Sequence, residues 1–253
     1  MSFDPWAAFF DGLRGPLFGG GMTASQVEGV EAITREGRRR GLPLPQIAYV
    51  LATAHHETGR RMQPVREGFA RDDAHAVRIV TAMHRAGRIR VNYAKPDRKT
   101  GRSYYGRGHV QLTWRRNYAT FAKRLGVDLV GDPDLALDPV VSVAILFDGM
   151  SLGLYTGKRL ADYITPQSVD FVGARRIVNG TDKAELVAGY ARSYLEPLRA
   201  AVRAQEAAVS ASAATHAAGN SESGSSGRSG ALEARVAELE AFKNRIVEAV
   251  AAA

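Results

Sequence analysis

The chain of 253 residues contains no cysteine. That excludes a disulfide framework, thiolate catalysis and any thiolate metal site. No apolar run approaches the ~18 residues of a membrane-spanning helix, which argues against a transmembrane segment. The opening MSFDPWAAFFDGLRG carries an Asp and no basic stretch ahead of its apolar residues. It therefore does not read as a secretory signal. Synthesis in the cytoplasm is expected, with delivery by another component if the protein acts outside. There is no Gly-Lys-Ser/Thr phosphate loop, and Gly106-Arg107-Gly108 is too short for a dinucleotide fingerprint. No internal repeat is visible.

What is present is ordinary for a globular protein: 45% hydrophobic and 24% charged residues, enough to bury a core. At ~150 residues per domain the length allows one large domain or two small ones. The formal net charge is +8, unevenly spread. Residues 231–253 hold four Glu against two Arg and one Lys, and residues 205–230 hold two Glu against one Arg, so residues 1–204 carry +10. Such a body favours polyanions: nucleic acid, an anionic membrane surface or an anionic wall polymer. No recognised nucleic-acid-binding module accompanies the charge, so no nucleic-acid partner is expected.

Three regions follow. Residues 1–205 read as mainly helical. Residues 206–230 drift from Ala/Ser to Gly/Ser without aromatics and read as a flexible linker whose first residues can continue the preceding helix. In residues 231–253, Leu232, Val236, Leu239, Lys243, Ile246 and Val250 form a short heptad seam. This predicts an amphipathic helix suited to self-association as a coiled coil. Its polar face is near neutral, so stable membrane insertion is not expected.

Within the body, Thr23 with Gln26 predicts a capped helix over 23–35, and Pro45–Glu57 predicts a second with the stripe Ile47, Val50, Leu51, Ala54. Residues 66–103 read as irregular, apart from a short helix near 74–86. Helical patterns return at 118–125, 139–152, 170–178 and 183–204. Residues 104–114 alternate, with Val110, Leu112 and Trp114 on one side and His109, Gln111 and Thr113 on the other. That predicts a short extended segment with Leu112 and Trp114 in the core.

Glu57 shares the apolar stripe of its helix and sits in the last turn. Partial burial and a helix C-terminus both raise a carboxyl pKa, as a general acid requires. A stripe Glu at a helix end is also commonly a surface or capping group. Ten residues on, Glu67 offers a second carboxylate; inverting glycosidases hold such a pair about 6.5–9.5 Å apart. Its alternatives are pairing with a nearby Arg, or yielding the role to Asp72 or Asp73. In the run Tyr104–Tyr118, the ring of Tyr105 and the polar groups of Gln111, Thr113 and Asn117 suit a sugar, which has a polar rim and apolar C–H faces. Asn179-Gly180 reads as a helix-ending turn, compatible with a substrate contact by the Asn179 amide. His55, His56, His75, His84 and His109 have no metal-binding spacing, position 60 being Arg60 where a zincin would carry His. Neither metal nor cofactor is expected.

Taken in order, His56-Glu57-Thr58-Gly59, Tyr105-Gly106-Arg107-Gly108-x-x-Gln111-Leu112-Thr113-Trp114-x-x-Asn117-Tyr118 and Ile177-Val178-Asn179-Gly180 resemble the glycoside hydrolase family 19 chitinases. The resemblance is to the endolysin-type members of bacteriophages and prophages, where Leu17-Phe18-Gly19-Gly20, Ser25-Gln26-Val27 and Asp132–Leu137 are also typical. It spans roughly residues 12–200. It implies a lysozyme-like, two-lobed helical domain with a small irregular or β element, here followed by a C-terminal helical tail. It also implies Glu57 as general acid, and Gln111, Thr113 and Asn117 contacting sugar or orienting water, with Asn179 lining the cleft. A second, downstream acid is the base. In chitinases it lies about twice as far along, in a loop this sequence lacks, and Glu67 takes that place here. The charged residue that follows the Asn in the chitinase network has no clear counterpart, and the chitinase disulfides are absent.

The expected function is hydrolysis of β-1,4 bonds in bacterial peptidoglycan, as a muramidase-type endolysin. The enzyme would be held in the host cytoplasm until release to the wall, or carried in a virion. The alternatives are a chitinase, a lytic transglycosylase, or a non-catalytic wall-binding or virion structural protein.

Overall fold

The computed structural model describes residues 5–219. Seven α-helices among them are α1 (Pro5–Phe18), α2 (Ala24–Arg39), α3 (Leu44–Glu57), α4 (Asp73–Arg85), α5 (Arg115–Leu125), α6 (Pro139–Leu152) and α7 (Ala184–Gly219). Two short strands, β1 (Val65–Arg66) and β2 (Arg107–Gly108), pair antiparallel with Val65 opposite Gly108. The body is thus mainly α with a small β element, as the sequence predicts.

Local signals explain most boundaries. Thr23 and Gln26 form a reciprocal capping box that opens α2. The Thr23 side chain accepts from the Gln26 amide, and the Gln26 side chain accepts from the Thr23 amide, satisfying two donors a helix start leaves free. Asp138 accepts from Val140 and Val141 to start α6, and Gly126 and Gly153 end α5 and α6 in left-handed conformation.

α3 and α6 are buried nearly all round, from Gln46 to His55 and over most of Ser142–Met150. They form the centre, and α2 packs against both. Asp148, buried on α6, is ion-paired to Arg40 and Arg124, tying α6 to the end of α2 and to α5. α1 lays Phe9, Leu13 and Leu17, spaced four apart, into the same core. α7 contributes Val187, Ala191, Tyr194 and Leu198. A second, smaller hydrophobic cluster joins Ala76 and Val80 of α4 to Ala70, Ala94 and Tyr105.

The segment 104–112 bridges the two clusters. Successive residues of an extended chain face opposite ways, and Tyr104 packs into the large core while Tyr105 packs into the small one. The expected alternation then fails. Gly108 and Gln111 take φ of +86° and +54°, and Arg107 bridges back to Leu112. This tight loop buries His109 and leaves Trp114 40% exposed, so Trp114 is not core. The segment 170–178 holds only a 3₁₀ turn, Gly173–Ile177.

α7 continues through 206–219, the first part of the expected linker, where alanines favour helix. The chain divides into two units, one ending at Ala201 and the other beginning at Val202. The rest of the linker and the 231–253 helix lie outside the described residues. No described helix is long and apolar enough to cross a membrane.

Candidate active site

Glu57 is the last residue of α3 and 18% exposed. Its Oε1 accepts from Nη1 of Arg175 at 2.7 Å. Arg175, 3% exposed in the 3₁₀ turn, also donates through Nε to the Asp182 carbonyl at 2.9 Å. Two donors in different directions fix the guanidinium against the carboxylate.

After Thr58, the chain reverses at Gly59, φ +55°, and returns through β1 to a 3₁₀ turn, Glu67–Phe69. A Cβ at Gly59 would stand 2.7 Å from Cζ of Phe69, so the two loops touch where only glycine fits. This contact brings the end of α3 beside the turn that carries Glu67.

Glu67 is half-buried. Tyr93 Oη donates to its Oε1 at 3.1 Å, and the Gly106 amide donates to its Oε2 at 3.1 Å. Gly106 leaves room for this: a Cβ there would lie 2.4 Å from Oε2 and 2.8 Å from Oε1 of Gln111. Burial pushes the Glu67 pKa above the usual carboxylate range, and the charge of Glu57 acts in the same direction; the bonds from Tyr93 and Gly106 oppose it only in part. The charge of Glu57 is thus felt at Glu67.

Gln111 donates to the carbonyls of Val65 and Gly108 at 3.1 and 3.2 Å. The Thr113 hydroxyl donates to the Gln111 carbonyl at 2.8 Å, and the Asn117 amide donates to the Thr113 carbonyl at 2.7 Å. All three side chains are half-buried. Thr113 and Asn117 are each tied to the backbone of the preceding one, and Gln111 Oε1 lies beside Gly106, whose amide binds Glu67. The Thr113 oxygen keeps lone pairs for a water proton. Asn179 is exposed on the turn after Ile177, its backbone N–H donating to the Arg175 carbonyl at 3.0 Å.

Tyr105 lies elsewhere. It is fully buried, and its hydroxyl donates to Asp73. The predicted sugar-facing ring is instead covered by Arg107, whose guanidinium carbon lies 3.7 Å from the ring centroid. Arg107, 1% exposed, also binds Asp134 at 2.7 Å, Asp73 at 3.0 Å, and the Ser103 carbonyl and Tyr118 hydroxyl at 2.9 and 3.2 Å. The Tyr-Gly-Arg-Gly motif thus supplies a buried clamp that sets the loop. His55 and His109 are structural too: burial lowers each pKa to about 4, and their ring nitrogens meet Tyr194 and Ser142. Among the described residues no three His, Cys, Asp or Glu converge as for a metal ion.

Two groups of the site, Arg175 and Tyr93, were not singled out for it by sequence. Arg175 lies in the run marked for Asn179, where nothing local points to Glu57. Tyr93 is one aromatic in an irregular charged stretch.

Residues 44–151 match the family model described as chitinase class I, glycoside hydrolase family 19. Short segments resemble curated proteins. Endochitinase A2 of Pisum sativum is 50% identical over 44 residues, 17% of this chain and 14% of that protein. Inactive chitinase-like protein 1 of Hevea brasiliensis is 51% identical over 43 residues, again 17% and 14%. The chain thus spans about a seventh of the length of these relatives. Among solved structures, chitinase C from Streptomyces griseus HUT6037 shares 19% identity, with 77% of this chain and 90% of that chain covered at a TM-score of 0.43. The matched segment holds Glu57, Glu67, Gln111, Thr113 and Asn117, while Arg175 and Asn179 fall beyond it. The similarity to glycoside hydrolase family 19, chitinase class I, is thus confined to residues 44–151.

Proposed function

We propose that this protein hydrolyses β-1,4 glycosidic bonds of bacterial peptidoglycan, as a muramidase-type endolysin that reaches the wall after release from the host cytoplasm or from a virion. The observation that supports the reading is that Glu67, half-buried and bound at Gly106 beside Gln111, feels the charge of Glu57. Glu57 protonates the leaving oxygen. Glu67 takes a proton from a water on the opposite face of the sugar, and its raised pKa makes it a stronger base than an ordinary carboxylate. Thr113 and Gln111 orient that water. The choice of wall over neutral chitin rests on charge: a body of +10 accumulates at an anionic polymer, the more so at low salt.

One observation favours a second assignment. Glu57 faces a guanidinium, whereas the hydrogen-bond partners of Glu67 are neutral. A carboxyl group that is hard to ionise suits a proton donor, which would make Glu67 the acid and Glu57 the base. Glycosides with activated leaving groups decide it, because they spare the acid: the acid variant keeps activity on them, while the base variant regains activity only with azide.

The test of the function is mass spectrometry of purified murein digested by wild type and Glu57→Gln. Wild type is expected to release fragments with reducing muramic-acid ends, and Glu57→Gln none. Reducing glucosamine ends, anhydro-muramic ends, or cleavage of chitin oligomers alone would each replace the muramidase reading. The last is the activity that the names of the relatives suggest. Unchanged lysis by Glu57→Gln would remove Glu57 from the mechanism.

A further inference from the structure

Trp114 is a large aromatic side chain left 40% exposed, with φ of +74°, a conformation few non-glycine residues adopt. Its backbone is pinned there by the bond from its amide to the Tyr104 carbonyl at 2.9 Å. Its ring lies 5.6 Å from that of Tyr93, tilted by 59°, and Tyr93 donates to Glu67. The exposed ring is therefore two contacts from a candidate catalytic carboxylate. With Arg115 and Arg116 it walls a shallow pocket of about 320 Å³.

Stability does not ask for these arginines. Both sit in the first turn of α5, where no acidic residue offsets them and the helix dipole disfavours positive charge. Arg116 has no ion-pair partner among the described residues. Among the described residues the carboxylate facing Arg115 is Asp97, at 3.7 Å, and Asp97 already accepts from the Lys99 and Thr100 amides and the Thr100 hydroxyl. An exposed ring beside the guanidinium of Arg116 and the loosely paired one of Arg115 fits a ligand with an apolar face and a carboxylate.

Resting on the glycosidase reading above, we propose that Trp114, Arg115 and Arg116 form a subsite for a carboxylate-bearing amino sugar of the glycan. Trp114 covers the C–H face of the ring, and the arginines take the carboxylate. This subsite would let the protein distinguish an acidic wall glycan from neutral chitin.

The test is calorimetric titration of the full chain carrying Glu57→Gln, so that bound glycan is not cut. The probes are a muramic-acid-containing murein tetrasaccharide, the same glycan with its carboxyl groups reduced to alcohols, and a chitin tetrasaccharide. Adding Arg115→Ala with Arg116→Ala is expected to weaken the acidic glycan about tenfold and chitin less than twofold. Carboxyl reduction should cost as much as the arginine changes, and the two losses should not add. Trp114→Ala should weaken all three probes; Trp114→Phe, which keeps a ring, should recover part of the loss. Equal weakening of acidic and neutral glycans by the arginine changes, or fully additive losses, would overturn the subsite while leaving the hydrolase reading intact. Absence of binding to every probe before any subsite change would overturn both.

Discussion

Glu57 and Glu67 are the same amino acid ten positions apart, yet their surroundings differ in kind. Glu57 ends a helix buried in the large core and meets a fixed, almost fully buried guanidinium. Glu67 opens a short 3₁₀ turn near the smaller cluster and meets a phenol and a backbone amide. At Glu67, burial makes the anion costly, and the two neutral donors offset that cost only in part. Two carboxylates set in contrasting environments are the usual requirement for splitting acid and base duties at one bond. The contrast also divides rigidity: the α3 end is held by the core, while Glu67 depends on Gly106, Tyr93 and the loop that Arg107 clamps.

The contrast can be broken at either carboxylate. Glu57→Gln and Glu67→Gln should each lower the rate on murein by about 10²–10⁴-fold, measured by reducing-end release, with unchanged far-UV circular dichroism. Their effects on stability should diverge. Folding raises the Glu67 pKa, so the fold disfavours its ionised form above that pKa and bears no such penalty when the group is protonated. Glu67→Gln should therefore stabilise the protein against urea at neutral pH, with the gain vanishing as pH falls below the ordinary carboxyl range.

Removing the charged partner sharpens the other side. Arg175→Ala leaves Glu57 without its ion pair and the Asp182 carbonyl without a donor. A loss of about 2 kcal/mol in urea denaturation is expected, below the range for fully buried pairs because Glu57 is partly exposed. Gly106→Ala places a methyl against Glu67 and Gln111, at a cost of about 1–3 kcal/mol and with a loss of activity exceeding the loss of folded protein. Tyr93→Phe is milder. It removes a bond that favours ionised Glu67, so the Glu67 pKa rises further. With Glu67 as base, activity needs its ionised form, and the acidic limb of the pH–rate profile should move to higher pH. With Glu67 as acid, the limb that moves up is the alkaline one. Asn179→Ala, on an exposed turn, should change stability by less than about 0.5 kcal/mol, so any fall in glycan affinity reports contact with substrate.

Much of the helical frame is legible because its causes are local. Thr23 and Gln26 announce α2, Pro45 and the apolar stripe announce α3, and Asp138-Pro139 announces α6. α1 escaped because Gly12, Gly15 and Pro16 interrupt a pattern that Phe9, Leu13 and Leu17 nevertheless carry into the core. The alternation over 104–114 misled because left-handed residues inside it turn the chain, and a period of two holds only while the backbone stays extended. Tyr105 looked available to a sugar because the sequence does not reveal that Arg107 covers it.

By itself, the sequence determined the mainly helical architecture, the basic body and the two acidic candidates, since capping, periodicity and charge are properties of neighbouring residues. Tertiary structure alone decided which groups surround those acids. Arg175 reaches Glu57 across 118 residues and Tyr93 reaches Glu67 across 26. No local preference encodes such contacts; they exist because burying two hydrophobic clusters folds distant segments onto one another. The protonation behaviour of Glu67 and the exposure of Trp114 follow from that burial.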